Sequence, residues 1–277
     1  MNPRSRLHRS SASLSNGRQA MLAVLWLALF AQWMTVVPVI LPDQVAGLLG
    51  ADQGNKEGII GSVLGAGAFI ALVVSPIAGA WSDRWRGARG RRRPFLVLGT
   101  LGSCAGLAWL ASFGPGDSLA LYTLAFLNLQ FWWNCAAGPY AGLIPDVVSK
   151  DQHATASGWI NVMSVLGTIT GNAVLALCYR QGQPMIAILG FIALNLTCLL
   201  MTLVGAPEQP ALAPLPPVSG RAWLRGFWLD PRTHRNFYWV LLTRLLANMG
   251  IWSSATAPPS WYESPVGSWR WPLPPMF

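Results

Sequence analysis

The residues best equipped for chemistry lie in one short stretch. Positions 79–95 read G-A-W-S-D-R-W-R-G-A-R-G-R-R-R-P-F and gather Arg84, Arg86, Arg89, Arg91, Arg92 and Arg93 around a single acid, Asp83. Residues 58–81 before this stretch and 94–113 after it carry no charge. Six guanidinium groups can pair with carboxylates or contact phosphate. A dense basic turn between two apolar runs is also what a cytoplasmic connection between membrane helices looks like. Orientation alone demands neither Asp83 nor Gly90, so the ordered D-R…G-R-R-R-P-F pattern marks a specific motif as well as a positive loop.

Elsewhere the chain offers no reacting groups. No apolar run contains the His, Asp, Glu or Cys constellation that hydrolysis or metal chemistry needs, so neither an enzyme nor a metal or cofactor site is expected. Cys104, Cys135, Cys178 and Cys198 sit within apolar runs and read as small packing residues. Of the 277 residues, 53% are hydrophobic and 10% charged, against about 25% charged in soluble domains. The net charge of +9 would suit nucleic acid. It lies mostly in loops between apolar runs, however, where the positive-inside rule accounts for it.

The elements follow from the uncharged runs. Six spans are predicted over residues 21–41, 58–81, 94–113, 119–144, 156–178 and 184–204, each near the 20 or so residues that a hydrocarbon core requires. Pro42-Asp43 is expected to end the first span and Gly138-Pro139 to interrupt the fourth. The pairs Gly61-x-x-x-Gly65 and Gly167-x-x-x-Gly171 are expected to admit a close neighbouring helix. A charge at mid-span costs about 2.5–3.5 kcal/mol, and no span contains one. Lys and Arg divide fifteen to two between alternate connections. This predicts an integral multi-pass protein with its N-terminus in the cytoplasm, the membrane itself being unspecified.

The remaining segments are less regular. Residues 1–20 read as a cytosolic basic tail, with an organellar transit peptide as the alternative for the same composition. Residues 206–236 form a Pro- and Ala-rich linker that turns basic. Residues 237–252 begin a seventh span that covers about 24 Å, short of a core of about 30 Å. Residues 253–277 have neither apolar periodicity nor span length.

Gly79, Asp83, Arg84, Gly90, Arg91 and Arg92 match a signature of the form G-x-x-x-D-R…G-R-R after a second helix, and so the chain resembles the major facilitator superfamily of secondary transporters. Gly90 follows Asp83 by seven residues where the short form of the signature has three. The extended form ending G-R-R-R-P-F resembles the sucrose-transporter-like and glycoside–cation symporter branches. Residues 143–159, L-I-P-D-V-V-S-K-D-Q-H-A-T-A-S-G-W, resemble that superfamily's loop between helices 4 and 5. Asp146 fits there, and His153 stands where arginine is usual. The resemblance covers residues 20–252. It implies an all-α membrane protein: a six-helix half of the transporter fold (21–205) plus an incomplete seventh helix. It also implies conformational gating by the signature loop, with the aspartate held at a helix N-terminus in the other half.

The resemblance further implies that helices 1 and 4 line a central cavity. Gln32 and Thr35 on the first span, and Gln130 and Asn134 on the fourth, are the candidates there. Asn161, Thr168 and Asn172 make a common stripe on the fifth. Uncharged amides and hydroxyls suit a neutral polyhydroxylated solute, and the same groups serve helix-to-helix hydrogen bonding at about 0.6–2 kcal/mol each. Trp132, Trp133 and Trp159 suit either sugar stacking or packing. Arg244 is the sole ionisable candidate for coupling. The expected function is secondary active transport of a small solute such as a sugar, represented by an N-terminal half. Its partners are the lipid bilayer, the solute and either a missing C-terminal half or a second copy. The alternative is a truncated, non-transporting fragment, inert or bound to the full-length protein.

Overall fold

The computed structural model describes residues 13–50, 54–87, 90–180 and 184–205, together with isolated positions between 235 and 246. Most of the basic tail and the linker, and all of 253–277, lie outside the described residues. Residues 1–215 and 216–277 form two units. In the second unit the described positions are helical, and Thr243 Oγ1 donates to Trp239 O at 3.0 Å. All but Arg235 and Asn236, which end the expected linker, fall within the expected start of the seventh span.

The first unit is helical among its described residues: α1 Asn16–Thr35, a π-helical turn Val36–Ile40, α2 Leu41–Leu49, α3 Lys56–Arg84, α4 Arg93–Ala111, α5 Leu119–Ala141, α6 Leu143–Val147, α7 His153–Arg180 and α8 Pro184–Gly205. A 3₁₀ turn, Lys150–Gln152, leads into α7. Helix α1 begins at Asn16, five residues before the expected Met21, because Ser15 caps it and Leu14 is already in the core. The side-chain amide of Gln152 then clasps Leu14 from both sides. Leu14 N–H donates to Gln152 Oε1 at 2.9 Å, and Gln152 Nε2 donates to Leu14 O at 2.9 Å.

Pro42 does not end the first span. Two prolines four residues apart, Pro38 and Pro42, would each remove a helical hydrogen bond. The wider π turn absorbs the mismatch, and Leu41 N–H reaches back five residues to Val36 O. The result is a continuous 34-residue rod, Asn16–Leu49. Pro139 likewise lies within α5, and the break comes later, at Gly142.

By length and composition, five helical stretches suit a membrane crossing. Helix α5, the fourth expected span, is long enough at about 35 Å for its 23 residues, but it is not among the five, being less apolar with Asn128, Gln130 and Asn134. Helix α1 packs on α7 and α8, α4 on α5 and α8, and α3 on α5. Tyr140 on α5 stacks on Trp26 of α1, ring centroids 5.0 Å apart, and donates to Leu22 O at 2.6 Å.

Of the two small-residue pairs, one does what the spacing predicts. A Cβ on Gly171 would lie 2.6 Å from Ala31 O, and one on Gly167 would collide with Leu27 O, so α7 rests backbone to backbone on α1. Gly61 and Gly65 have nothing within 4 Å of a Cβ. The expected close neighbour at that pair is not found among the described residues. Gly167→Leu should therefore destabilise the fold by about 1–3 kcal/mol through overpacking, whereas Gly61→Leu should be neutral. Thermal unfolding of the two purified variants in detergent checks the contrast, and equal losses would remove this account of the α1–α7 contact.

Candidate functional site

The site is assembled where α3 ends and α4 begins. Gly90 turns the chain with φ 97°, in the left-handed region that favours glycine, and its N–H donates to Gly87 O at 3.2 Å. Arg92 follows and is 6% exposed. Each nitrogen of its fork meets a different acceptor. Nε donates to Asp146 Oδ2 at 2.5 Å and Nη1 to Pro139 O at 2.9 Å. Nη2 lies 2.7 Å from Asp83 Oδ1, a charge contact rather than an aligned hydrogen bond. The guanidinium occupies the space where a Cβ on Gly142 would be, so only glycine fits there.

The neighbouring arginines extend this knot. Arg91 Nη2 lies 2.5 Å from Asp146 Oδ1, so Asp146 holds one arginine on each oxygen. Arg93 Nη2 donates to Leu203 O at 3.0 Å, in the last turn of α8. Pro139 O is likewise in the last turn of α5, where carbonyls lack helical partners and the dipole is negative. Consecutive arginines thus cap two helices and bind two carboxylates, tying together the ends of α3, α5, α6 and α8. His153 does not face Asp146 in this arrangement. Its Nε2 lies 3.1 Å from Val148 O, and the arginines of the signature loop take the place beside the acid. Arg84 ends α3 exposed, and Gly79 sits where α3 crosses α5 at Gly138.

The cavity candidates fall into four groups. Gln32 is a hub between helices: it donates to Ser103 Oγ of α4 at 3.1 Å and accepts from Asn195 Nδ2 of α8 at 3.0 Å. Thr35 and Asn134 are buried and bonded within their own helices, to Ala31 O at 2.7 Å and Gln130 O at 2.8 Å. Asn161, Thr168 and Asn172 form the expected stripe along one edge of α7. Their side chains donate to Ser157 O, Ser164 O and Thr168 O, each one turn back, and both amides are exposed.

Gln130 is different. It shares a small space with Gln32, Trp33, Val36, Phe126, Leu129 and Trp133. The Trp33 and Trp133 rings are 5.2 Å apart at 32°. Gln130 Oε1 and Trp133 Nε1 are both buried without a partner. One acceptor and one donor are therefore unused beside two indoles, in a region with no charge. The sequence reading missed Ser103, Asn195 and Trp33, which lie on helices whose relative rotation one-dimensional spacing does not report. A second cavity, of about 270 Å³, lies at the opposite end between α2, the α4–α5 turn and Ile188. Gln44 braces it, donating to Leu110 O at 3.1 Å and accepting from Tyr122 at 3.2 Å. Among the described residues no cluster of three metal-ligating side chains occurs.

The knot predicts an asymmetry between neighbouring arginines. Arg92→Gln removes the charge that both acids share and should cost about 3 kcal/mol, a figure held down by the partial exposure of Asp83 and Asp146. Arg84→Gln should cost less than about 0.5 kcal/mol. Chemical denaturation of each variant in detergent measures the difference.

This geometry can be set beside known proteins. The family model of the Major Facilitator Superfamily matches residues 21–266. Human Solute carrier family 45 member 3 is 30% identical over 188 residues, which covers 61% of this chain and 34% of that protein. Sucrose transport protein SUT4 of Oryza sativa subsp. indica is 28% identical over 178 residues, covering 52% and 30% respectively. Sucrose transport protein SUC4 of Arabidopsis thaliana is 29% identical over 124 residues, covering 39% and 24%. The chain spans about a third or less of the length of these relatives. These are relatives of the branch that the G-R-R-R-P-F ending resembles. With a family model matching most of its length and the signature loop folded into one charge knot, the chain belongs to the Major Facilitator Superfamily.

Proposed function

We propose that this chain is the N-terminal half of a secondary active transporter for a small neutral polyhydroxylated solute, a sugar. The observation that carries the reading is the pair of unused groups at Gln130 Oε1 and Trp133 Nε1 beside the Trp33 and Trp133 rings. A buried polar atom without a partner costs about 1–3 kcal/mol, so such atoms call for an explanation. In this conformation the space is about 10 Å³, room for one water, so a sugar answers both once the space opens: a hydroxyl donates to the amide oxygen, another oxygen accepts from the indole N–H, and the C–H face of the ring stacks on tryptophan. No ionised side chain lies among the residues that surround this space, which disfavours a charged solute. Two of the relatives are named as sucrose transport proteins, which supports the same class.

Movement needs a second body. Alternating access rocks one half against another around the solute. Only 11% of the apolar window of α3 and 17% of that of α7 is buried, against 61% in the α1–α2 rod. Phe69 and Leu72 on α3 and Val165 and Ile169 on α7 are among the large side chains left open. A C-terminal half, or a second copy acting as one, covers these faces in the working transporter. The knot around Arg92 then acts as the latch at the cytoplasmic end. Asp83, half exposed, is the member that faces outward to the second body. The N-terminus lies in the cytoplasm, as the fifteen-to-two division of basic residues requires. The chain alone binds solute without transporting it.

The test is equilibrium binding of radiolabelled sucrose to the purified chain in nanodiscs, paired with uptake into sealed vesicles. Trp133→Phe keeps the ring and removes the N–H, and Gln130→Leu removes the acceptor. Each should weaken binding about tenfold, the worth of one hydrogen bond, while Asn161→Ala should leave it unchanged. Vesicles holding the chain alone should take up no more sucrose than empty ones. Binding indifferent to both substitutions would remove the assignment of this space, and uptake by the chain alone would remove the need for a second body.

A further inference from the structure

Asp146 holds two arginines of the knot, yet the element that carries it is slight. Helix α6, Leu143–Val147, has five residues, far short of the dozen or so, about 12–15, that a helix needs to persist by itself in water. Its place must come from what it packs on. Asp146 meets the arginines. Leu143, Ile144 and, just past the helix end, Val148 are instead buried in one apolar cluster with Leu14, Leu22 and Leu25. Leu22 and Leu25 lie on α1, and Leu14 stands just before that helix begins.

Leu14 is held by more than packing. Its N–H and its carbonyl both bond to the Gln152 side chain, and the carbonyl also accepts from Gln19 Nε2 at 3.0 Å. Gln152 is fixed in turn from the loop after α6. Ser149 Oγ donates to Gln152 Oε1 at 3.2 Å, and Gln152 N–H donates to Ser149 O at 2.9 Å. His153 braces the same loop, its Nε2 lying 3.1 Å from Val148 O. The clasp therefore joins the segment before α1 to the loop that follows Asp146. Were α6 to swing out, Asp146 would leave Arg92, and a guanidinium buried in the knot would lose a charge partner, which low dielectric makes costly. Clasp and knot hold opposite faces of one short helix.

We infer that Gln152 is a positioning residue for the arginine knot. By clasping Leu14 against Ile144 and Val148 it sets α6, and α6 presents Asp146 to Arg91 and Arg92. The start of α1 and the knot then loosen or tighten together. This concerns how the knot is assembled and needs neither solute nor second body, so it holds or fails separately from the transport reading.

The experiment is labelling of Arg92 by phenylglyoxal, which modifies guanidinium groups, on the 277-residue chain in nanodiscs. Peptide mass spectrometry with fragmentation locates the modified arginine. Gln152→Ala should raise the labelling rate of Arg92 about tenfold, the worth of the two hydrogen bonds it removes. Asp146→Asn should raise it at least as much. Adding Gln152→Ala to Asp146→Asn should change it by less than about twofold, since both act through one carboxylate. Ser103→Ala, which removes a buried bond between α4 and α1, should leave Arg92 as in the wild type. Should Gln152→Ala not fold, Gln152→Glu keeps the acceptor for Leu14 N–H, loses the donor to Leu14 O, and must still raise labelling about threefold. Unchanged labelling in the Gln152 variant, an additive effect in the double variant, or an equal rise in Ser103→Ala would each overturn the assignment. The last would point to general loosening of the bundle.

Discussion

Much of this structure depends on one buried guanidinium. Arg92 is nearly sealed from solvent, and its three nitrogens face an acid on α6, a carbonyl ending α5 and the acid near the end of α3. A buried charge is tolerated only where its partners are complete, and the planar fork of arginine can meet three acceptors at fixed angles where a lysine cannot. Removing any one partner leaves the remaining charges uncompensated at low dielectric. The helix ends are therefore held as a set.

The membrane interior is managed in the opposite way. Its core carries no charge, and polar groups are spent on joining helices. Gln32 uses its donor and its acceptor at once, towards α4 and α8, and Tyr140 anchors α5 to α1. Amide and hydroxyl side chains can bond back to a carbonyl one turn earlier in their own helix, as Thr35, Asn134 and Asn172 do, which gives them a partner without a neighbouring helix. Trp26 Nε1, Thr100 Oγ1 and Asn195 Oδ1 are also buried without a hydrogen-bond partner, and what distinguishes Gln130 Oε1 and Trp133 Nε1 is that they line one space.

Helices α3 and α7 each bury one face, against α5 and α1, and leave the other open. Gly61 and Gly65 lie on α3 with nothing within 4 Å of an added Cβ, so the small-residue pair makes no close helix contact among the described residues.

The sequence by itself determined a great deal here. Uncharged runs of the right length place the crossings, because lipid forbids unpaired charge and unpaired backbone. The ordered Gly79–Arg92 signature places the charge cluster, because its acid and glycines serve no purpose in a plain positive loop. Helix ends were less legible: Pro42 suggested a stop, and a π turn carried the helix on. What only the tertiary structure decided was partnership. That Asp146 meets Arg91 and Arg92 rather than His153, that Gly142 makes room for a guanidinium, and that Gln32 joins three helices while Gln130 is left free all depend on how each helix is rotated about its axis. Spacing along a chain says which residues share a face. It does not say what that face meets, because the rotation is set by packing against helices far away in sequence.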